Sequence, residues 1–360
     1  MKIGIDIRSA CTQKTGKGWY TFHLVKNLLA LDRKNEYILY TNAITADAAA
    51  FQNAHIKVIA KHPLLWHFAV IKDFKHEGGE LFFSPTSYLI PAFLPKSIRS
   101  AMAVHDLIAF RYPLQHHRKS MILEQLFLGR ALKKVSRVLV PSENTKKDLM
   151  RLFHYKEEKI AVAPLGVDES IFGIQKQTSG ILKKYNLPEE FILTVGGLEP
   201  RKNIARLAEA FLASNLNNLK LVIVGGRGWQ SKKLQQKIAQ RGDRIIHIEN
   251  CSQEDLPAFY RAAKIFVFPS LYEGFGLPPL EAMASGCPVI CSNAASLPEV
   301  CGNAALFVNP EKTEEIAAAL KKLLSDEKLR AELIQKGLDQ AKKFSWQNTA
   351  ETTLKVFNSL

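Results

Sequence analysis

The chain has 360 residues, 47% of them hydrophobic, which supplies a large core and is long enough for two domains. Lys and Arg number 49 against 34 Asp and Glu; the net charge of +15 either favours acidic partners (nucleotides, an anionic membrane surface, nucleic acid) or serves solubility alone. The five cysteines are odd in number, scattered and without a CxxC pair, which argues against a disulfide framework or a zinc site and fits a reducing cytoplasm.

The opening MKIGIDIRSA reads as a strand over 2–7 and not as a signal peptide, and no apolar run is long enough to span a bilayer. Residues 14–20, KTGKGWY, read as a glycine loop before an amphipathic helix over 21–31. Strand, glycine loop and helix in that order open a Rossmann-like half. The GxGxxG fingerprint is absent, so a dinucleotide site is not indicated. Gly16 and Gly18 would let backbone amides approach a diphosphate, or would simply serve a turn that needs positive φ. Further strands are expected over 37–40, 56–60, 81–84 and 101–104, with a proline-rich stretch over 85–95. His105 and Asp106 come directly after an apolar strand, at the ligand-binding edge of a parallel sheet. A helix over 121–134, a strand over 138–140, a helix that Ser142 caps and a strand over 160–163 complete the first half.

Strong periodicity is missing over 169–188, where the domain boundary is placed. Alternation then resumes with strands over 191–195, 219–224, 245–248, 265–268 and 289–291 and a helix over 204–212. The helices over 313–324 and 326–343 carry charge runs that read as solvated faces. Two successive βα-repeating halves imply an α/β fold of two doubly wound domains that face a cleft. The divisions are 1–168, a linker over 169–188, a second domain over 189–343 and a terminal helix over 344–360.

Chemistry concentrates in residues 266–289, FVFPSLYEGFGLPPLEAMASGCPV. A buried strand runs into a loop with Glu273, Gly274, Phe275 and Gly276, and Pro278 and Pro279 suit the first turn of a helix that Gly286 ends. Glu281 is expected in that first turn. Free N–H groups at a helix start and flexible glycines attract anionic oxygen, whereas carboxylates accept hydrogen bonds from hydroxyls. Glu273 and Glu281 beside such an anion site suggest a sugar phosphate or nucleotide; the plain alternative is a capped loop whose carboxylates favour the helix dipole. Residues 196–203, GGLEPRKN, place Arg201 and Lys202 where the next helix should begin, a position the macrodipole disfavours for cations unless an anion offsets the cost. Otherwise they are exposed cations that pair with Glu199 or another surface acid.

EGFGLPPLE gives an E-x7-E pattern, preceded by FPSLY and followed by AMASGCPVICSN. With GGLEPRKN, VAPLGVD (162–168), VHDL (104–107), VPSENTKKDL (140–149) and the early glycine loop, it resembles the retaining GT-B glycosyltransferases of family GT4. The resemblance runs from residue 1 to roughly the C-terminus. LEPRKN with VHDLIAFRYP resembles the mannosyltransferase-like members of bacterial surface polysaccharide synthesis.

The resemblance implies two Rossmann-like domains, with a nucleotide-sugar donor mainly on the second and the acceptor mainly on the first. It implies Arg201 and Lys202 on the donor diphosphate and Glu281 on the ribose hydroxyls. Glu273, with Gly274, Phe275, Gly276 and Leu277, is implied for the transferred sugar. His105 is implied beside that sugar across the cleft, and Gly16 and Gly18 beside the phosphates. The catalytic set so implied is His105, Glu273, Arg201 and Lys202. The helix after Phe344-Ser345-Trp346 is implied to return to the first domain. Many relatives carry arginine where Gly197 stands, a departure that leaves Arg201 and Lys202 as the cation set.

The reaction expected is transfer of a hexose, first mannose from GDP-mannose and next a UDP-linked sugar, to an acceptor hydroxyl on a glycan or lipid-linked acceptor with retention of anomeric configuration. No DxD triad is present to hold a divalent ion, so no cofactor and no metal is expected. The expected setting is cytoplasmic, at the inner face of the membrane. Lys133, Lys134, Arg137, Lys146, Lys147, Arg151 and Lys156 form a basic set for anionic lipid, or a solvated face. The alternatives are a GT-B nucleotide-sugar epimerase or a phosphorylase and, remotely, a nucleic-acid-binding protein. The last would interleave basic and aromatic residues on one face, but the basic residues spread over many helices, so no nucleic acid is expected.

Overall fold

A computed structural model describes residues 1–12, 16–43, 46–115, 117–174, 180–228, 232–241, 243–252 and 254–360. They divide into two compact units, Met1–Gly166 with Ser345–Leu360, and Val167–Phe344.

The first unit is built on β1 (Lys2–Asp6), β2 (Glu36–Thr41), β3 (His55–Val58), β4 (Leu81–Ser84), β5 (Arg99–Ala103), β6 (Arg137–Val140) and β7 (Ile160–Val162). All pair in parallel, in the order β3-β2-β1-β4-β5-β6-β7, with Ile5 opposite both Leu39 and Phe83. Ile3, Ile5, Phe82 and Phe83 are buried because helices cover both sheet faces, so these strands are apolar throughout and do not alternate. The helix Gly16–Leu31 buries Tyr20, Leu24, Val25, Leu28 and Leu29 at helical spacing.

Lys14 and Thr15 of the expected glycine loop lie outside the described residues, but Gly16 and Gly18 stand in the first turn of this helix and not in a loop. Burial of Tyr20 edge-on against His105, with ring centroids 4.5 Å apart, draws the helix back by more than a turn. The sequence reading had no element for the helix Pro63–His76, which a proline opens.

The C-terminal helix Trp346–Asn358, capped by Ser345, packs on the helix Gly16–Leu31 and on β7. Trp346 stacks on His23 with centroids 5.0 Å apart, and Thr349 Oγ1 donates to Pro164 O at 2.6 Å. Gly166 is required here: a Cβ on it would lie 2.0 Å from the Trp346 nitrogen.

The second unit is built on β8 (Phe191–Val195), β9 (Lys220–Val224), β10 (Ile245–Ile248), β11 (Ile265–Phe268), β12 (Val289–Ser292) and β13 (Ala305–Val308), parallel in the order β10-β9-β8-β11-β12-β13. Leu207, Phe211, Leu221, Ile223, Val267 and Leu320 belong to its core. Strand order reverses between β8 and β11, where α/β sheets open a crevice for ligands. The sequence reading had no strand at β13; Leu306 pairs with Ile290 of β12. Residues 169–188, read as a linker, include the short helices Glu169–Phe172 and Ile181–Lys184 and belong to the second unit; 175–179 lie outside the described residues.

Candidate functional site

The loops after β8 and β11 meet at this reversal. After β8 the chain passes Gly196, whose carbonyl oxygen would lie 2.4 Å from a Cβ on Gly225, so glycine lets the loops after β8 and β9 touch. Pro200–Lys202 is one 3-10 turn, and Asn203 follows in the left-handed region at φ 59°. The helix proper is Ile204–Ala213, so Arg201 and Lys202 precede it instead of beginning it. Asn203 Nδ2 donates to Pro269 O at 3.1 Å and to Pro310 O at 2.6 Å, which locks this turn to the β11 loop. Leu271 N donates to Arg201 O at 2.8 Å and ties the same two loops again.

This scaffold brings the two cations onto one carboxylate. Arg201 Nη1 donates to Glu273 Oε2 at 2.9 Å and Lys202 Nζ to Glu273 Oε1 at 2.7 Å. Arg201 Nε also donates to Glu199 Oε2 at 2.9 Å. The cations are not the exposed pair that a surface role requires, since the Lys202 and Glu273 side chains are each 12% exposed. Burial lowers the Lys202 pKa, with Glu273 opposing and Arg201 adding to the shift. Burial by itself would raise Glu273, but Arg201 and Lys202 outweigh it and hold the carboxyl below its ordinary range. A buried ion pair of this kind is costly to desolvate and weak evidence of a purely stabilising role.

The β11 loop is shaped by Gly276, at φ 130°, where a Cβ would fall 2.7 Å from Leu297 Cδ2. Ser296 Oγ shares its proton between Glu273 O at 2.8 Å and Phe275 O at 2.6 Å and so clamps the loop from below. Phe275 is 6% exposed and its ring packs edge-on against Phe344. The helix is Leu277–Ala284 with Gly286 in the left-handed region beyond it. Glu281 is its fifth residue and lies in the second turn, not the first, because the helix begins at Leu277, one residue ahead of the prolines. Pro278 and Pro279 have no N–H, so of the first three helix positions only Leu277 carries a backbone donor. Glu281 Oε2 accepts from Tyr260 Oη at 2.8 Å, and burial pushes its carboxyl up to about 7 although that bond acts the other way.

In the first unit His105 follows β5. Its Nε2 lies 2.8 Å from Pro85 O; a carbonyl only accepts, so Nε2 carries the proton and Nδ1 keeps a lone pair. Burial, with Lys17 adding, lowers its pKa to about 4, and the ring is neutral at pH 7. Tyr20 joins His105 to the turn of Gly16 and Gly18. The sequence-selected residues therefore gather as His105 with the first turn of Gly16–Leu31 in one unit, and Arg201, Lys202 and Glu273 with the loop through Leu277 in the other. Tyr260, Asn203 and Ser296 escaped the sequence reading. Asn203 stood inside a quoted motif without a role, Ser296 lay just past one, and Tyr260 sits in an ordinary helix with no signal.

Comparison with known proteins agrees with this architecture. The family model described as glycosyl transferases group 1 matches residues 180–340, and that of Glycosyltransferase Family 4 matches residues 16–171. O-antigen chain mannosyltransferase B of Escherichia coli is 32% identical over 379 aligned positions, covering 96% of this chain and 96% of that protein. O-antigen chain mannosyltransferase RfbU of Salmonella typhimurium is 30% identical, covering 72% of this chain and 71% of its own length. Among solved structures, HepE of Anabaena in complex with UDP-glucose superposes with a TM-score of 0.82 over 100% of both chains at 18% identity, a likeness of fold. The chain belongs to the GT4-like family of GT-B glycosyltransferases, and it is a glycosyltransferase.

Proposed function

We propose that this glycosyltransferase moves a hexose, first mannose from GDP-mannose, to an acceptor hydroxyl with retention of anomeric configuration, in the synthesis of a cell-surface polysaccharide or glycolipid. The observation that carries the reading is the Arg201–Glu273–Lys202 cluster at the reversal of the second sheet. Two mannosyltransferases of O-antigen synthesis among the relatives support the choice of sugar and setting. The donor diphosphate binds Arg201 and Lys202, which stabilise the charge that builds as it departs. Backbone amides of Gly16 and Gly18 serve the same phosphates. Glu281 accepts the ribose hydroxyls. Glu273, ionised, takes hydroxyls of the transferred sugar with the Gly274 to Leu277 backbone. His105 offers neutral Nδ1 to a sugar hydroxyl while Pro85 O holds its Nε2–H. The bond from the sugar's anomeric carbon to the phosphate oxygen breaks and the bond to the acceptor oxygen forms on the same face. The acceptor proton goes to the departing phosphate. Arg201 and Lys202 fill the charge-neutralising role, so the reaction is metal-independent.

Purified protein is to be screened with GDP, UDP, ADP and dTDP sugars by thermal shift, because a bound donor raises the melting temperature. The responding donor is then tested with a glycan acceptor in the presence of EDTA. Transfer with the anomeric configuration kept and the EDTA rate equal to the control is expected. Conversion of donor alone to its epimer would instead identify an epimerase, and phosphate-dependent release of sugar phosphate a phosphorylase.

A second reading concerns an anionic membrane surface near a lipid-linked acceptor. Leu65 and Phe68 are 60% and 51% exposed on the helix Pro63–His76, and Leu123 and Leu126 are 46% and 65% exposed on the helix Arg118–Leu132. Phe93 joins them, with its ring centroid 5.1 Å from Phe68 and 5.7 Å from Phe127, and Arg130 lies over it. An apolar face edged by cations suits an anionic bilayer. It fits better than the basic set read from sequence, in which Lys146 pairs with Glu157 at 2.8 Å and Lys134 Nζ donates to Leu94 O. Sedimentation with anionic vesicles is expected for the wild type and is lost in Leu123→Glu/Leu126→Glu; equal sedimentation of both rejects this face.

A further inference from the structure

We propose that Tyr260 is a positioning residue for the donor: its hydroxyl aims Glu281 and keeps that carboxylate able to accept the ribose hydroxyls. The inference rests on the reading of Glu281 given above and adds a residue that touches no substrate. Tyr260 lies on the helix Leu256–Ala262 and is 0% exposed. Phe266 meets its ring edge-on at 5.3 Å between centroids, and Phe172 lies at 6.1 Å. A ring held in this way cannot swing, so its hydroxyl is a fixed point. From there Oη donates to Glu281 Oε2 at 2.8 Å. Among the described residues no other group bonds the Glu281 carboxylate, which leaves Oε1 as an acceptor for a ligand. The phenol stays a donor, because burial and the facing Glu281 raise its pKa well above the ordinary value.

The other titratable groups on or next to the elements packed against the helix Leu277–Ala284 are otherwise engaged or distant in effect. Arg261 donates to Gly173 O at 3.3 Å, Lys336 pairs with Glu332, and Cys287 is a buried thiol whose pKa burial raises. Asp339 pairs with Lys342, and Glu169 and Glu299 are themselves acids and supply no cation to Glu281. Burial by itself works against the charged form of Glu281, and Tyr260 is the group that opposes it. Removing the hydroxyl while keeping the ring therefore makes Glu281 harder to ionise and frees its rotamer.

The test compares Tyr260→Phe with the wild type by measuring donor KM and kcat from pH 6 to 9. The carboxylate binds only when ionised, so wild-type donor KM rises as pH falls through about 7. In Tyr260→Phe the same rise sets in about one pH unit higher, which makes donor KM about fivefold larger at pH 7. The gap closes toward pH 9, and kcat at saturating donor is unchanged. Superimposable profiles, or a gap that stays constant with pH as a packing defect gives, overturn the proposal. Glu281→Gln separates the two levels. If that variant also binds donor normally, the reading of Glu281 itself fails; if it binds poorly while Tyr260→Phe follows the wild type, only the role of Tyr260 fails.

Discussion

Glu273 and Glu281 are the same residue type, with seven residues between them in one loop and helix, yet their surroundings drive them in opposite directions. Glu273 meets a guanidinium and an ammonium and stays ionised below its ordinary range. Glu281 meets one phenol, and burial lifts it to about 7. The difference shows that the E-x7-E spacing does not define two equivalent acceptors. One carboxylate is tied into an ion cluster with Arg201 and Lys202, the cations proposed to meet the departing charge. The other is supported by one phenol and its ionisation follows pH, which suits the ribose-holding role proposed for it.

That contrast can be broken most severely at Glu273. Glu273→Ala releases Arg201 and Lys202 from their shared partner and shifts them from the diphosphate, and kcat is expected to fall about a hundredfold in a saturating transfer assay, since misplacement by an ångström costs that much. A loss confined to KM would move Glu273 out of the transfer step. The effect at Glu281 is smaller and of another kind. Glu281→Gln exchanges a charge-assisted bond for a neutral one, so donor KM rises about tenfold with kcat nearly kept. Its pH profile between 6 and 9 flattens, because an amide does not titrate; a profile that still bends near pH 7 would point to another group. The smallest effect is the shift of that bend in Tyr260→Phe, which sharpens the contrast by moving one carboxylate's behaviour without touching the other's.

Much of this was legible in the sequence because the signals are local. Apolar runs of four or five residues marked β8, β9 and β11; GGLEPRKN stood directly after β8 and EGFGLPPLE four residues beyond β11. The motifs themselves carry the cations and the carboxylate that meet, Arg201, Lys202 and Glu273. Partners distant in the chain were not legible. Asn203 reaches Pro310, and Ser296 reaches the loop of Glu273 and Phe275, through hydrogen bonds that no periodicity encodes. Local rules also lost to packing at Gly16 and Gly18, where burial of Tyr20 against His105 made helix out of an apparent loop. Strand β13 was missed although Ala305–Val308 is an apolar run as long as β11; its pairing with β12 is what defines it.

Arg201 and Lys202 are proposed to hold the diphosphate while Glu281 holds the ribose of the same molecule. Titration calorimetry tests it with the nucleoside diphosphate that gives the largest thermal shift and with its 2′,3′-dideoxy form. Arg201→Ala should weaken both ligands, whereas Glu281→Gln should weaken the ribose form and leave the dideoxy form bound as by the wild type. Equal affinities of both variants and the wild type for both ligands would contradict the account.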